Sequence, residues 1–118
     1  MVLDDDLDIA TIVKMTLQSY GFNNVSLFTE PSKAIMELRE NGNNYSMVIS
    51  DIRMPGMDGF EFADHINRVN PDIKLILMTA FDINRDLLTM NSYKPRNVTQ
   101  IIQKPISARK LAKIVSAL

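Results

Sequence analysis

Asp4, Asp5, Asp51, Thr79 and Lys104 are the positions in this 118-residue chain where side-chain type and spacing suggest chemistry. Each stands at the end of a short apolar run. Val2-Leu3 leads into the first two acids, Met47-Val48-Ile49-Ser50 into Asp51, Leu75-Ile76-Leu77-Met78 into Thr79, and Ile101-Ile102-Gln103 into Lys104. If these runs are strands of one parallel sheet, their carboxyl ends share an edge, and open α/β folds hold their ligands on that edge. Three carboxylates, a hydroxyl and an ammonium group then meet. At roughly 4 Å and an effective dielectric near 20, each carboxylate pair repels by about 4 kcal/mol before solvent relief. Either one acid is protonated or a cation sits among them. Oxygen donors without sulfur or imidazole select a hard ion, and Mg²⁺ keeps several of its waters in such a site. A carboxylate that is also a nucleophile can take up a phosphoryl group as an acyl phosphate. Metal and lysine then neutralise the phosphoryl oxygens. A hydroxyl that bonds the phosphoryl group only after transfer biases a conformational equilibrium.

The elements that must position these groups are legible in order. Val2-Leu3 reads as the close of a strand shorter than the usual five or six residues, either trimmed at its start or native at Met1. Asp6 or Asp8 caps a helix to about Tyr20, with Ile9, Ile12, Val13, Leu17 and Tyr20 facing inward, and Gly21 stops it. A second strand is expected over 23–28. Pro31 then opens a helix that buries Ala34, Ile35 and Leu38 and ends in Asn41-Gly42-Asn43-Asn44. The central strand, 46–51, is apolar on both faces, as in a parallel sheet covered on both sides. A helix over 59–69 carries Phe62, Ile66 and Val69. A strand over 73–78 follows, then a weaker helix over 82–91 and a polar stretch containing Tyr93-Lys94-Pro95. The fifth strand spans 98–103. Ser107 caps a last helix with Leu111, Ile114, Val115 and Leu118 turned inward. Five strands alternating with five helices predict an α/β, doubly wound parallel sheet with helices on both faces.

Length and composition fit one domain, residues 1–118, with a single core. Net charge near −1 argues against nucleic-acid binding. The absence of cysteine removes disulfides, thiol catalysis and zinc-thiolate sites. No apolar run approaches the length of a membrane span and no signal peptide is evident, so a cytoplasmic location is expected. The eight methionines read mostly as core filler. His65, the one histidine, reads as a surface residue, as does Tyr93 unless it meets a partner. Asp6 reads as a cap or surface acid, and Asp58-Gly59 as a turn into a helix.

Asp4-Asp5, Ser50-Asp51-Ile52-Arg53-Met54-Pro55-Gly56-Met57-Asp58-Gly59, Met78-Thr79-Ala80 and Lys104-Pro105 closely resemble the receiver domains of two-component response regulators. The resemblance spans the chain and implies a flavodoxin-like sheet of order 2-1-3-4-5. It implies that Asp51 is the phosphoacceptor. Asp5 is a Mg²⁺ ligand, Asp4 orients a metal-bound water or contributes directly, and Asp51 and the carbonyl of Arg53 complete the protein ligands. Thr79 reads the phosphoryl group, Lys104 bridges to it, and the Lys104-Pro105 peptide is cis. The implied partners are a sensor histidine kinase or phosphotransfer protein and an output partner that the sequence does not name. Catalysis is limited to the domain's own phosphorylation and dephosphorylation. The chain is either a stand-alone regulator or a fragment of a longer protein. Three departures stand out. Ile101 occupies the place of the usual switch aromatic. The approach to the fifth strand is longer than usual and lacks the common Gly-Ala turn. Phe81 and Arg53 flank the path of a hydrolysing water and predict a long-lived phosphoryl group. Two other readings remain open. One is a degenerate receiver that binds a partner constitutively. The other is an aspartyl-phosphate phosphatase, which wants an acid where Arg53 stands.

Overall fold

A computed structural model describes residues 1–80 and 95–118. The expected helix over 82–91, together with Phe81, Tyr93 and Lys94, lies outside the described residues. The elements are β1 (Val2–Leu3), α1 (Leu7–Ser19), β2 (Leu27–Phe28), α2 (Pro31–Asn41), a 3₁₀ turn (Gly42–Asn44), β3 (Met47–Asp51), α3 (Gly59–Val69), β4 (Lys74–Thr79), β5 (Val98–Gln103) and α4 (Ala108–Ser116). All strand pairs are parallel and the order is β2-β1-β3-β4-β5, as the resemblance implied.

Strand alternation sends neighbouring residues into opposite layers. Val48, Leu75 and Leu77 pack with Ile35 and Leu38 of α2 and Phe62 and Ile66 of α3. Ile49, Ile76 and Met78 pack with Val13 and Leu17 of α1 and Leu111 and Val115 of α4. The central strands are therefore apolar throughout, and the sheet is covered on both faces.

Helix ends follow local chemistry. The Asp6 carboxylate accepts from the amides of Asp8 and Ile9 at 3.0 and 3.3 Å, Asp58 from that of Glu61 at 2.8 Å, and the Ser107 hydroxyl oxygen from that of Lys110 at 3.1 Å. At the other end of α1, Gly21 has φ 95°. Its N–H donates to Gln18 O and that of Phe22 to Leu17 O, which is the paired bonding of a Schellman motif.

Several expectations are corrected. Ile12 and Tyr20 are 62% and 49% exposed rather than inward. The inward stripe of α1 is Ala10, Val13 and Leu17; Ile12 stands about 100° round the helix from Val13, and Tyr20 is the cap residue beyond the last turn. Leu118 lies past the end of α4 and is exposed, as are Met15 and Met36 among the methionines. The second strand is paired only at Leu27–Phe28, because β1 offers only two residues to pair with.

The ladder between β4 and β5 carries a bulge. Leu75 pairs with Val98 and Ile76 with Gln100, so Thr99 is an extra residue, and its hydroxyl donates to Leu75 O at 3.0 Å. Beyond it Ile101 stands opposite Leu77 and Gln103 opposite Thr79. The N–H of Lys104 then donates to Thr79 O at 2.6 Å. No helix among the described residues is long and apolar enough to cross a membrane.

Candidate functional site

Asp51 is the last residue of β3 and pairs with Met78 of β4. Asp4 follows β1 directly, its N–H donating to Phe28 O at 3.1 Å. The Asp4 carboxylate is buried. Its Oδ1 accepts from the Asp6 amide at 3.0 Å, and its Oδ2 from the Lys104 ammonium at 2.8 Å. The same ammonium lies 3.6 Å from Asp51 Oδ1. One carboxylate oxygen each from Asp4, Asp5 and Asp51 falls within 4.8 Å of the others, with Asp5 exposed and Asp51 half-buried. Four side chains from three strand ends therefore meet on one sheet edge. The Asp4–Lys104 ion pair, which joins positions a hundred residues apart, is a contact that sequence reading did not name.

Burial is the largest influence on Asp51 and pushes its carboxyl pKa up from the ordinary value. The Lys104 charge opposes the rise, while Asp4 and Asp5 add to it by repulsion, and an Ile52 backbone hydrogen bond opposes it. Lys104 thus offsets only part of the negative charge. Three clustered acids, all oxygen donors and one of them solvent-facing, fit a hard divalent cation such as Mg²⁺.

Thr79 ends β4 fully buried, and its backbone carbonyl accepts from Lys104, which fixes the two residues side by side. Arg53 is exposed, two residues beyond Asp51. The Lys104-Pro105 peptide is cis. Ile101 is half-buried and packs against the core layer of α2 and α3. His65 lies half-buried on α3, outside the acid cluster.

The loop behind Asp51 contains a residue whose importance sequence reading missed. The Ile52 N–H donates to Met78 O at 2.8 Å and the Gly59 N–H to Ile52 O at 2.7 Å, so the first turn of α3 is drawn onto the end of β3. A Cβ on Gly59 would lie 2.8 Å from Asp51 O and 2.9 Å from Ile52 Cα. Both are backbone atoms, so only glycine allows this approach. The Asp58-Gly59 pair signalled a turn, but the contact depends on how closely helix and strand pack.

The family model for the response regulator receiver domain matches residues 1–116. The receiver protein CpdR of Brucella abortus (strain 2308) is 30% identical over 111 residues, covering 94% of this chain and 88% of that protein. The transcriptional regulatory protein ZraR of Escherichia coli (strain K12) is 35% identical over 81 residues, 69% of this chain, but the match spans only 18% of its own length. Among solved structures, the CheX-CheY-BeF3-Mg+2 complex from Borrelia burgdorferi superposes with TM-score 0.86 at 22% identity, over 98% of this chain and 84% of that chain. A CheY-like receiver domain protein from Methanospirillum hungatei JF-1 gives 0.83 at 20% identity, over 98% and 88%. The structural likeness shows the shared fold, and the sequence matches carry the further conclusion that this chain belongs to the response regulator receiver domain family of two-component signalling.

Proposed function

We propose that the chain is a phosphorylation-dependent switch of a two-component relay, with Asp51 as phosphoacceptor. The observation that carries this reading is the Asp4, Asp5, Asp51 cluster with the Lys104 ammonium 2.8 Å from Asp4 and 3.6 Å from Asp51. A carboxylate oxygen of Asp51 attacks the phosphorus of a phosphohistidine on a sensor kinase or phosphotransfer protein. The P–N bond breaks, its electron pair stays on the imidazole, and an acyl phosphate forms. Lys104, already facing both acids, moves its charge onto the new phosphoryl oxygens. Thr79, fixed beside Lys104, donates its hydroxyl to the phosphoryl group, a contact that exists in one state only. Asp4, Asp5, Asp51 and the Arg53 carbonyl would hold Mg²⁺, which when bound neutralises charge on the phosphoryl oxygens. The beryllofluoride and magnesium named with the Borrelia complex support this choice of ligands. The chain's catalysis is confined to its own phosphorylation and dephosphorylation. The bulky and long side-chain types at Phe81 and Arg53, two residues past Thr79 and Asp51 in the sequence, are the basis for expecting a long-lived acyl phosphate. A half-life of seconds in the isolated domain, with Phe81→Glu having no effect, would overturn that last point.

Titration with Mg²⁺ and beryllofluoride, followed by amide NMR shifts and thermal melting, tests the central reading. The expected result is a saturable change and a raised Tm that Asp51→Asn abolishes. An unresponsive wild-type protein, or a response that survives Asp51→Asn, would remove Asp51 as phosphoacceptor.

A further inference from the structure

Ser50 places a hydroxyl where packing alone asks for a small apolar group. It is fully buried, one residue before Asp51, and its ladder partners are Leu3 on β1 and Leu77 on β4. It shares the strand face of Val48, which lies in the layer of α2 and α3. A hydroxyl in such surroundings costs free energy unless it finds an acceptor. The acceptor is the main chain of the next residue: Ser50 Oγ donates to Asp51 O at 2.9 Å.

The sheet itself offers that carbonyl another partner. β1 and β3 pair at Val2–Ile49 and Leu3–Ser50. Continued by one step, a parallel ladder brings the Asp5 N–H onto Asp51 O. The pairing stops before that step. Asp4 still donates to Phe28 O on β2, and Asp6 already caps α1. Asp5 is therefore the residue at which the chain leaves the sheet, and it leaves with its side chain exposed. The Ser50 hydroxyl occupies the carbonyl that would otherwise draw the Asp5 amide in.

The same contact fixes the start of the loop behind Asp51. Asp51 O lies between Ser50 Oγ and Gly59, where a Cβ would come within 2.8 Å. The rest of the link is held as well, the Ile52 N–H by Met78 O at 2.8 Å and Ile52 O by the Gly59 N–H at 2.7 Å. Arg53, whose carbonyl is the main-chain ligand proposed for the metal, follows directly.

We propose that Ser50 is a positioning residue for the divalent-cation site. Its hydroxyl keeps Asp51 O out of the β1–β3 ladder, so that Asp5 stands clear of the sheet and the link from Asp51 to Arg53 is presented to the ion. The proposal rests on the phosphoacceptor reading of Asp51. The test sets Ser50→Ala, which removes the donor, beside Ser50→Thr, which keeps it in a residue suited to strands. Calorimetric titration of the folded proteins with Mg²⁺ should show affinity lowered roughly tenfold in the Ala form and within about twofold of wild type in the Thr form, since tenfold is the scale on which losing a group that orients a metal ligand is felt. In chelator, amide exchange at Asp5 should slow by roughly tenfold or more in the Ala form, because the ladder gains the bond that the hydroxyl had blocked. A serine that merely filled space would leave that amide unchanged. Equal Mg²⁺ affinity in Ser50→Ala and wild type, an unaltered Asp5 amide, or a Thr form as weak as the Ala form would each overturn the role of Ser50 and leave Asp51 as phosphoacceptor untouched. A wild-type protein that takes up no Mg²⁺ would overturn both.

Discussion

At the scale of single residues, Asp51 carries a conflict that the fold imposes and a ligand resolves. Its carboxyl is held above the ordinary pKa, first by burial and then by Asp4 and Asp5, against the pull of Lys104. The metal-free folded state therefore binds its proton more tightly than the unfolded chain. Between the unfolded and folded pKa values the native state carries more protons, so stability falls as pH rises through that window. Asp51→Asn removes the slope. In chelator, its Tm should exceed that of wild type at pH 7 and converge with it below the unfolded carboxylate range. Melting curves across pH check this, and a mutant less stable than wild type at pH 7 would mean the acids do not strain one another. Gly59 is a different case, set by packing and not charge. Gly59→Ala drives a methyl group into the backbone of Asp51 and Ile52, so denaturant unfolding should show a loss of about 1–3 kcal/mol, the usual range for overpacking. Beryllofluoride affinity should fall with it, because one of the displaced atoms is the backbone carbonyl oxygen of Asp51 itself. The two residues also differ in legibility. A carboxylate closing an apolar run is a local pattern, so Asp51, Asp4 and Asp5 could be read directly. The Gly59 approach and the Asp4–Lys104 pair are products of tertiary closure that no local window contains.

At the scale of elements, the site depends on strands ending in step, and β5 achieves this with a residue to spare. Thr99 is the extra residue, with Leu75–Val98 on one side of it and Ile76–Gln100 on the other. Deleting Thr99 lets the ladder close into regular pairing while Lys104 keeps its place beside Thr79. The loss is one hydroxyl-to-carbonyl bond, about 1 kcal/mol, and beryllofluoride binding should persist. Deleting Gln103 instead pulls Lys104 back by about 3.3 Å and turns it to the other face, so binding should be lost. Parallel titrations of the two deletions decide the matter; equal loss in both would show that the bulge itself shapes the site. The limits of β5 and α3 could be read from sequence because apolar pattern and turn residues coincide there. The bulge could not, since Thr99 looks like any strand residue. The shortening of β2 to Leu27–Phe28 was equally hidden, because it is dictated by how little of β1 there is to pair with.

At the scale of the whole molecule, a net charge of −1 conceals a strong separation of charge. Asp4, Asp5, Asp6, Asp8 and Asp51, five of fourteen acids, share their end of the molecule with Lys104, and the rest of the chain sets nine acids against twelve bases. The negative field is thus concentrated around the carboxyl edge of the sheet, where a divalent cation must arrive and a phosphoryl donor must be tolerated. Asp8 sits exposed in the first turn of α1 and is not part of the acid cluster, so it can report on this field alone. In water, an unscreened unit charge ~10 Å from a divalent ion is worth about 0.8 kcal/mol, roughly fourfold in affinity. Asp8→Asn should therefore weaken Mg²⁺ binding by two- to fourfold (about 0.4–0.8 kcal/mol) at ~0.01 M ionic strength, where the Debye length is about 30 Å. At ~0.5 M salt the screening length is only about 4 Å, and wild type and mutant should bind alike. A calorimetric titration at both salt concentrations measures the difference. An Asp8→Asn defect that persists at high salt would assign Asp8 a direct contact with the ion. No defect at low salt would mean that the strand-end acids alone attract the cation and the wider separation of charge plays no part.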